Sequence, residues 1–320
     1  MAALEIFEIL SPGILTTVQD AGRYGFGRYG VAPSGTLDSF SLRIANLLVG
    51  NREDEACLET MLLGPGIRAL NDIVIAVTGG NLQPRHNKQP LKMWRSHVLK
   101  KGDILTFGTL ASGFRACIAV GGGFGVPSVL GSKSTNLSSG FGGFQGRALK
   151  KNDILLSVLP SPSLSNADRA FNPAWIPVYS EKWTIRVIWG PQESDFSDDS
   201  RDTFLNSEYI MSPDSDRTGI RLQGPAIHRK PDSDESIISE GVISGCIQVP
   251  GDGKPIIILG ETVTGGYRKI ATVVSADLPS LGQIKPGDKI QFLAVSPDEA
   301  RQALQEVEDR INTFKAAISR

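Results

Sequence analysis

The sequence has little of what most recognisable sites are made from. Its three cysteines, Cys57, Cys117 and Cys246, stand far apart and form no C-x-x-C pair. That argues against a disulfide framework or a cysteine zinc site and suits a reducing cytosol. The three histidines, His86, His97 and His228, share no motif: no H-E-x-x-H, no pair four apart, no Ser-His-Asp pattern. A histidine metal site or a hydrolase triad is therefore not expected. The formal net charge is −1, so no basic field points to nucleic acid. No apolar run approaches the roughly 18–20 residues of a membrane span. The opening M-A-A-L-E-I-F-E-I-L carries acids in its apolar run and no basic stretch before it, unlike a signal peptide. A cytoplasmic protein without membrane contact is the expectation. Aromatics make up only 7% of the chain.

What the chain does have is turn chemistry. With 35 Gly and 19 Pro in 320 residues, it reads as many short strands, mostly β with a few helices, and long enough for two domains. The stretch that organises it is Gly245–Lys269. A four-residue apolar run inside Pro255–Leu259 is too short for a free helix and fits a covered strand. It lies between two glycine loops, Pro250-Gly251-Asp252-Gly253 and Thr264-Gly265-Gly266-Tyr267. Glycine lets a backbone approach a ligand closely. Gln248, Asp252, Lys254, Glu261, Thr264, Tyr267 and Lys269 stand around these loops. They form either one wall of a small-molecule site or a hairpin with a polar surface.

Leu4–Leu10 reads as a strand. Residues 16–31 read as a loop carrying Gln19, Asp20, Arg23 and Arg28 among Gly22, Gly25, Gly27 and Gly30; the glycine spacing is not the dinucleotide fingerprint. Arg beside Asp in such a loop suits a carboxylate or phosphate ligand, or simply a surface. Ser34 to Asp38 lead into a helix over Ser39–Val49, with Asp38 or Ser39 as cap and Gly50 as stop. Ala56–Leu63, with Glu59, reads as a strand. Gly131-Ser132-Lys133-Ser134-Thr135 fails as a phosphate loop because its glycines are misplaced. The whole of 131–149 then reads as a mobile Gly/Ser segment that delivers Gln145 and Arg147, as a lid or a plain loop.

One unit recurs. L-K-K-G-D-I-L (99–105), L-K-K-N-D-I-L (149–155) and I-K-P-G-D-K-I (284–290) each follow an apolar strand ending in glycines. Gly102, Asn152 and Gly287 hold the position that tolerates positive φ. This repeat is structural and suggests related β-barrel modules. Pro160–Pro177 reads as a linker. A strand over Trp183–Trp189, a polar helix within Asp195–Tyr209 and a charged loop with Asp214, Asp216 and Arg217, read as a local salt bridge, follow. The chain closes on an amphipathic helix with a Ser296/Glu299 capping box and a stripe of Ala300, Leu304, Val307, Ile311, Phe314 and Ile318.

Taken together and in order, T-T-V-Q-D-A-G-R (16–23), G-V-A-P-S-G-T-L-D (30–38), A-N-L-L-V-G-N (45–51), L-E-T (58–60), G-F-G-G-F-Q-G-R (140–147), G-P-Q (190–192), S-D-R-T-G-I-R-L (215–222), I-Q-V-P-G-D-G-K-P (247–255) and T-G-G-Y (264–267) resemble one family. It is the biotin-dependent carboxyltransferase family, also called allophanate hydrolase subunit 2. It includes the subunit-C component of 5-oxoprolinase, the sporulation kinase-inhibitor antagonist and the carboxyltransferase domain of urea amidolyase. The resemblance implies two cyclophilin-like β-barrel domains, here 1–160 and 183–296, a linker over 161–182, a final helix over 297–320, and a site in the cleft between the domains. It implies a subunit-B or allophanate hydrolase subunit 1-type partner and a LamB/YcsF-type subunit-A protein. It also implies a small amide substrate, with ATP used through the complex to open 5-oxo-L-proline to L-glutamate. The chain shows no biotinyl motif such as A-M-K-M, so biotin and a carrier enter only in the alternative, carboxyl transfer to urea. A second alternative is a regulator that binds its partner without turnover. Gly260-Glu261-Thr262-Val263 stands where D-R-Q-T often precedes T-G-G-Y, and V-T-G-G-Y is closer to the urea amidolyase variant. By the same resemblance Asp20, Arg23, Asp38, Glu59 and Arg147 are candidate catalytic residues. Gln19, Ser34, Gln145, Gln248, Gly251, Thr264, Gly265, Gly266, Tyr267 and Lys269 are candidate substrate contacts.

Overall fold

The computed structural model describes residues 4–159, 163–230 and 237–319; the start of the expected linker, 160–162, lies outside them. Contacts divide the chain into two units. One comprises Met1–Arg23, Ser34–Tyr179 and Asp309–Arg320, the other Tyr24–Pro33 and Ser180–Glu308. Both are mostly β, as the glycine and proline content leads one to expect. Among the described residues, no helix is long and apolar enough to cross a membrane.

The first unit contains two antiparallel sheets. One runs in the order Ile154–Leu156, Glu5–Ser11, Gly66–Ala69, Ile104–Thr106, Arg85–His86, Gln89–Pro90. The other runs Leu15–Gln19, Cys57–Met61, Ser112–Val120, Ile73–Asn81, Ser96–Leu99. One apolar core takes Ile6, Ile9 and Ile67 from the first and Val18, Leu58, Ile75 and Ile118 from the second. Ile73–Asn81 is buried on both faces, because the helix Ser39–Val49 lies against it and against Ser112–Val120. That explains a continuous apolar run in place of alternation. The helix starts where Asp38 accepts from Ser41 N–H at 2.9 Å and stops at Gly50, φ 81°. Residues 16–19, expected in a loop, form a strand paired with Cys57–Met61. The glycines begin only at Gly22, and Thr16, Thr17 and Val18 are β-branched residues that favour a pleated, half-buried surface.

The second unit holds a closed barrel of seven strands: Lys182–Trp189, Arg268–Val273, Cys246–Val249, Ile256–Ile258, Gly219–Gln223, Tyr209–Met211 and Lys289–Ala294. All its pairings are antiparallel except the closing one, where Lys182 to Val187 run parallel to Lys289 to Ala294. Closure leaves no sheet edge to be covered. Phe204 and Phe292 stack in its core at 4.4 Å between ring centroids. Phe204 comes from the polar helix Asp198–Asn206, capped by Ser197. Arg217 finds its ion-pair partner in Glu261, 2.8 Å away, not in the neighbouring aspartates; Asp216 instead accepts from Thr218 and Gly219 N–H.

The repeated heptad builds the same object three times. Lys100, Lys150 and Lys285 N–H donate to Asp103, Asp153 and Asp288 carboxylates at 2.8, 2.7 and 3.1 Å. Gly102, Asn152 and Gly287 have φ of 92°, 70° and 91°. Their N–H groups donate to Ala69, Ile9 and Met211 carbonyls. Each aspartate also takes a side-chain donor: His86 at Asp103, Arg147 at Asp153, Trp183 at Asp288.

The final helix, Pro297–Ile318, begins in the expected capping box, Ser296 with Glu299. Its apolar stripe is shifted. Ala303, Ile311 and Phe314 are buried while Leu304 is exposed, because the buried line follows 303, 307, 311 and 314. In the first unit, Phe314 meets Phe171 edge-on at 5.0 Å and Lys315 pairs with Glu53 at 2.7 Å.

Candidate functional site

In the first unit, Gln19, Asp20 and Arg23 lie at and just beyond the end of one strand, Leu15–Gln19, and bind one distant segment. The Asp20 carboxylate accepts from Gly22 N–H at 2.8 Å, Ser132 Oγ at 2.6 Å, and Lys133 N–H and Ser134 Oγ at 2.5 Å. Arg23, 1% exposed, donates through Nη2 to the Ser134 carbonyl and lies 4.7 Å over the Phe141 ring. Gln19 Nε2 donates to the Thr135 carbonyl and Thr17 Oγ1, each at 3.1 Å. Ser132, Ser134, Thr135 and Asn136, expected in a mobile segment, are thus buried and bonded down. Lys133 Nζ is held by Glu55 Oε1 at 2.5 Å and the Phe124 carbonyl, so it is not presented to a phosphate.

Gln19 Oε1 and Ser34 Oγ are buried without a hydrogen-bond partner among the described residues. Ser34 also holds a left-handed φ of 55°, uncommon for a residue with a side chain. Leaving a buried acceptor or hydroxyl unpaired costs about 1–3 kcal/mol each. Such groups suit a ligand that supplies the missing donor or acceptor.

Asp38 and Glu59 bracket the Ser34–Asp38 turn. Asp38 caps the helix and also accepts from Ser41 Oγ at 2.6 Å. Glu59 Oε2 accepts from Leu37 N–H at 2.7 Å and Thr36 Oγ1 at 2.8 Å. Burial pushes the Tyr179 phenol well up, with the Asp38 carboxylate adding to it. The Cys117 thiol is likewise pushed well up, by its hydrogen bond with Cys57 and by burial. Neither is a proton acceptor or nucleophile near neutral pH. Tyr179 lines a cavity of about 430 Å³ with Trp94, Leu91 and Met93, a site without any of the sequence-derived candidates.

Arg147 and Gln145 are placed differently. Arg147 forms a two-pronged ion pair with Asp153, 2.7 and 2.9 Å, and donates to Gln145 Oε1 at 3.0 Å. It serves the repeated turn as His86 does at Asp103. Burial raises the Asp153 carboxyl, but Arg147 and the Lys150 N–H outweigh that and hold it below its ordinary value.

In the second unit the candidates gather on neighbouring strands. Gln248 is buried in Cys246–Val249 and donates to the Tyr267 carbonyl at 3.4 Å. A Cβ on Gly265 would lie 2.2 Å from Gln248 Nε2, so only glycine lets this backbone pass the amide. Thr264 and Gly265 pair with Glu240 and Gly241, and Gly266 accepts from Ile237 N–H at 3.0 Å. Lys269 is buried, its ammonium on Glu240, and its N–H donates to Gln192 Oε1 at 3.1 Å. The ammonium holds the Glu240 carboxyl below its ordinary value. Tyr267, 43% exposed, lines a cavity of about 290 Å³ with Asp252, Lys254 and Arg221. Gly251 lines a second, of about 250 Å³.

Sequence reading missed the Arg217–Glu261 pair, Thr36 and Tyr179. Glu261 did leave a trace, as the residue that departs from the D-R-Q-T pattern. Thr36 and Tyr179 left none, since their partners are far away in the chain.

Residues 29–294 match the family model described as carboxyltransferase domain, subdomain A and B. Among curated proteins, the chain is 36% identical to the subunit-C component of 5-oxoprolinase from Escherichia coli, over 94% of this chain and 95% of that protein. It is 36% identical to urea amidolyase of Lachancea kluyveri, over 97% of this chain but 18% of that protein. Among solved structures, Kluyveromyces lactis urea amidolyase superposes with a TM-score of 0.91 at 34% identity, covering 98% of this chain and 20% of that one. The chain thus spans nearly the whole of one relative and about a fifth of the others.

Proposed function

The chain belongs to the carboxyltransferase family of subdomains A and B, and from that premise we propose that it is the C-type subunit of an ATP-dependent 5-oxoprolinase complex. The observation that carries this reading is the match to the Escherichia coli protein: 95% of its length has a counterpart here. In this reading the complex opens the cyclic amide of 5-oxo-L-proline to L-glutamate, with a subunit-B-type and a LamB/YcsF-type partner. ATP is used through the complex in this reading, and Lys133, tied to Asp20 and Glu55, is not offered as a phosphate contact.

Ring opening places negative charge on the carbonyl oxygen and moves a proton to the ring nitrogen. Gln19 Oε1 and Ser34 Oγ are the groups proposed to meet the amide in the first unit. Asp20 and Arg23 position the strand end that carries Gln19. Asp38 and Glu59 fix the turn that carries Ser34. In the second unit Gln248 and Tyr267 are the proposed substrate contacts, with Lys269 and Gly265 holding them in place.

A second reading, carboxyl transfer from a biotinylated carrier to urea, draws support from the 0.91 superposition on urea amidolyase and from V-T-G-G-Y. One experiment separates the two. The chain is co-purified with its partners and assayed for ATP-dependent glutamate release from 5-oxoproline, and separately with urea and a carboxylated biotin carrier. Glutamate release that needs this chain supports the first reading; urea carboxylation alone replaces it with the second. Binding without either turnover would make the chain a regulator.

A further inference from the structure

We propose that the cavity of about 430 Å³ lined by Arg85, Leu91, Met93, Trp94 and Ser112 in the first unit is a binding site for a small carboxylate that carries an apolar or aromatic body. This goes beyond the functional reading above and stands without it, since none of the residues given a part in ring opening lines the cavity. The volume falls within the roughly 300–1,000 Å³ usual for small-molecule sites. Such sites combine apolar walls with a few placed polar groups, and this wall has both. Pro90, Leu91, Met93 and Pro177 supply apolar surface. The Arg85 guanidinium, the Ser112 hydroxyl and the Trp94 indole N–H have no hydrogen-bond or ion-pair partner among the described residues. All three can donate, and no carboxylate is among the described residues lining the cavity.

The wall is built. Trp94 is only 5% exposed, and its ring is fixed by Phe40 and Phe171, 6.1 and 5.8 Å away between centroids. A buried donor left unpaired is unfavourable, and a ligand oxygen would relieve it. Trp94 and Gln83, both on the lining, hold left-handed φ of 60° and 51°. Such backbone is uncommon for residues with side chains and clusters at ligand sites. It is over-determined here: Trp94 N–H donates to the Val77 carbonyl at 2.8 Å, Phe171 N–H to the Trp94 carbonyl at 2.9 Å, and Gln83 N–H to Asn81 Oδ1 at 2.9 Å. Arg85 is seated by strand pairing with Pro90 on one side and Thr106 on the other. Its paired donors match the two oxygens of a carboxylate.

Arg85 is also the one charged side chain among the described lining residues. A second negative charge on the ligand would go unpaired against an apolar wall, which favours a carboxylate over a phosphate ester. The test uses the full chain labelled with nitrogen-15, whose four tryptophans give four indole N–H resonances by NMR. Trp94 is assigned by elimination from Trp175→Phe, Trp183→Phe and Trp189→Phe, since none of these three lines the cavity. The probes are 3-phenylpropionate, its neutral amide and acetate, titrated separately at equal ionic strength.

The expected result is a saturable displacement of the Trp94 resonance by 3-phenylpropionate, with the other three unmoved. Binding should weaken about ten-fold, a loss of one charge-assisted contact, in Arg85→Gln, whose exposed side chain can be replaced without unfolding the chain. Ser112→Ala gives the second measurement, with a smaller loss expected. Acetate, which lacks the apolar body, and the amide, which lacks the charge, should each need at least ten-fold higher concentrations. The proposal is overturned if no displacement of Trp94 occurs, or if both variants bind as the parent does. It is equally overturned if acetate or the amide saturates at the same concentration as 3-phenylpropionate, for then either the apolar wall or the guanidinium takes no part.

Discussion

Gly265 sets how closely the backbone passes the Gln248 amide, and that makes it a sensitive probe of the second unit. In Gly265→Ala the new methyl would sit 2.2 Å from Gln248 Nε2, so the amide must turn away from the Tyr267 carbonyl. Glutamate release by the reconstituted complex is expected to fall about ten-fold or more, as for a lost orienting contact, while the barrel strands keep their pairing. Unchanged turnover would remove Gln248 from the site. Asp20 presents the opposite case. Its carboxylate accepts four hydrogen bonds, so Asp20→Ala should cost about 2–5 kcal/mol in urea unfolding. The sequence marks Asp20 as a charged residue among glycines but not as an anchor. Ser132 and Ser134, its partners, are 112 and 114 residues away, and nothing local records such a pairing. Gln19 was legible as polar cargo for the same local reason; that it is buried with an unpaired Oε1 was not.

At the scale of the element, the three repeated turns were the most legible part of the chain. Lys-x-Gly/Asn-Asp specifies its own geometry: the aspartate caps the lysine N–H, and the third position needs positive φ. Nothing lies within 4 Å of a Cβ built on Gly102 or Gly287, so alanine there is opposed by backbone conformation alone. Gly102→Ala and Gly287→Ala are each expected to cost about 1–2 kcal/mol, and Asn152→Gly to stay within about 0.5 kcal/mol of the parent. Denaturant midpoints check both. The turns also set an acid limit. Burial raises the Asp103 carboxyl, but Asn87, the Lys100 N–H and His86 outweigh it and leave it lowered, as Arg147 does for Asp153. A carboxyl lowered by folding contributes stability that is full above its unfolded value of about 3.9 and lost as pH falls through the folded value. Stability should therefore drop below about pH 4. In Asp103→Asn/Asp153→Asn that drop should be shallower; an unchanged acid limb would show the two aspartates do not set it.

At the scale of the whole molecule, each unit has its own aromatic centre: Phe171 with Phe40, Trp94 and Phe314 in the first, Phe204 with Phe292 and Tyr209 in the second. Phe314→Ala and Phe292→Ala should each cost about 3–5 kcal/mol. Hydrogen exchange should locate the loosening from Phe314→Ala in the first unit and that from Phe292→Ala in the second. This division was only partly readable. The glycine and proline content indicates a mostly β chain. The parallel closure of Lys182–Trp189 on Lys289–Ala294 joins segments about a hundred residues apart, and periodicity carries no trace of it. The amphipathic face of the last helix was visible, but its exact line was not, because Leu304 is apolar and nevertheless exposed.

Ile311 and Phe314, on the final helix, complete the core of a unit whose strands all lie before residue 180. As the nascent chain leaves the ribosome, that unit must wait for more than a hundred further residues before Phe171 is covered. A polypeptide released before residue 309 would expose this aromatic cluster and become a substrate for chaperones.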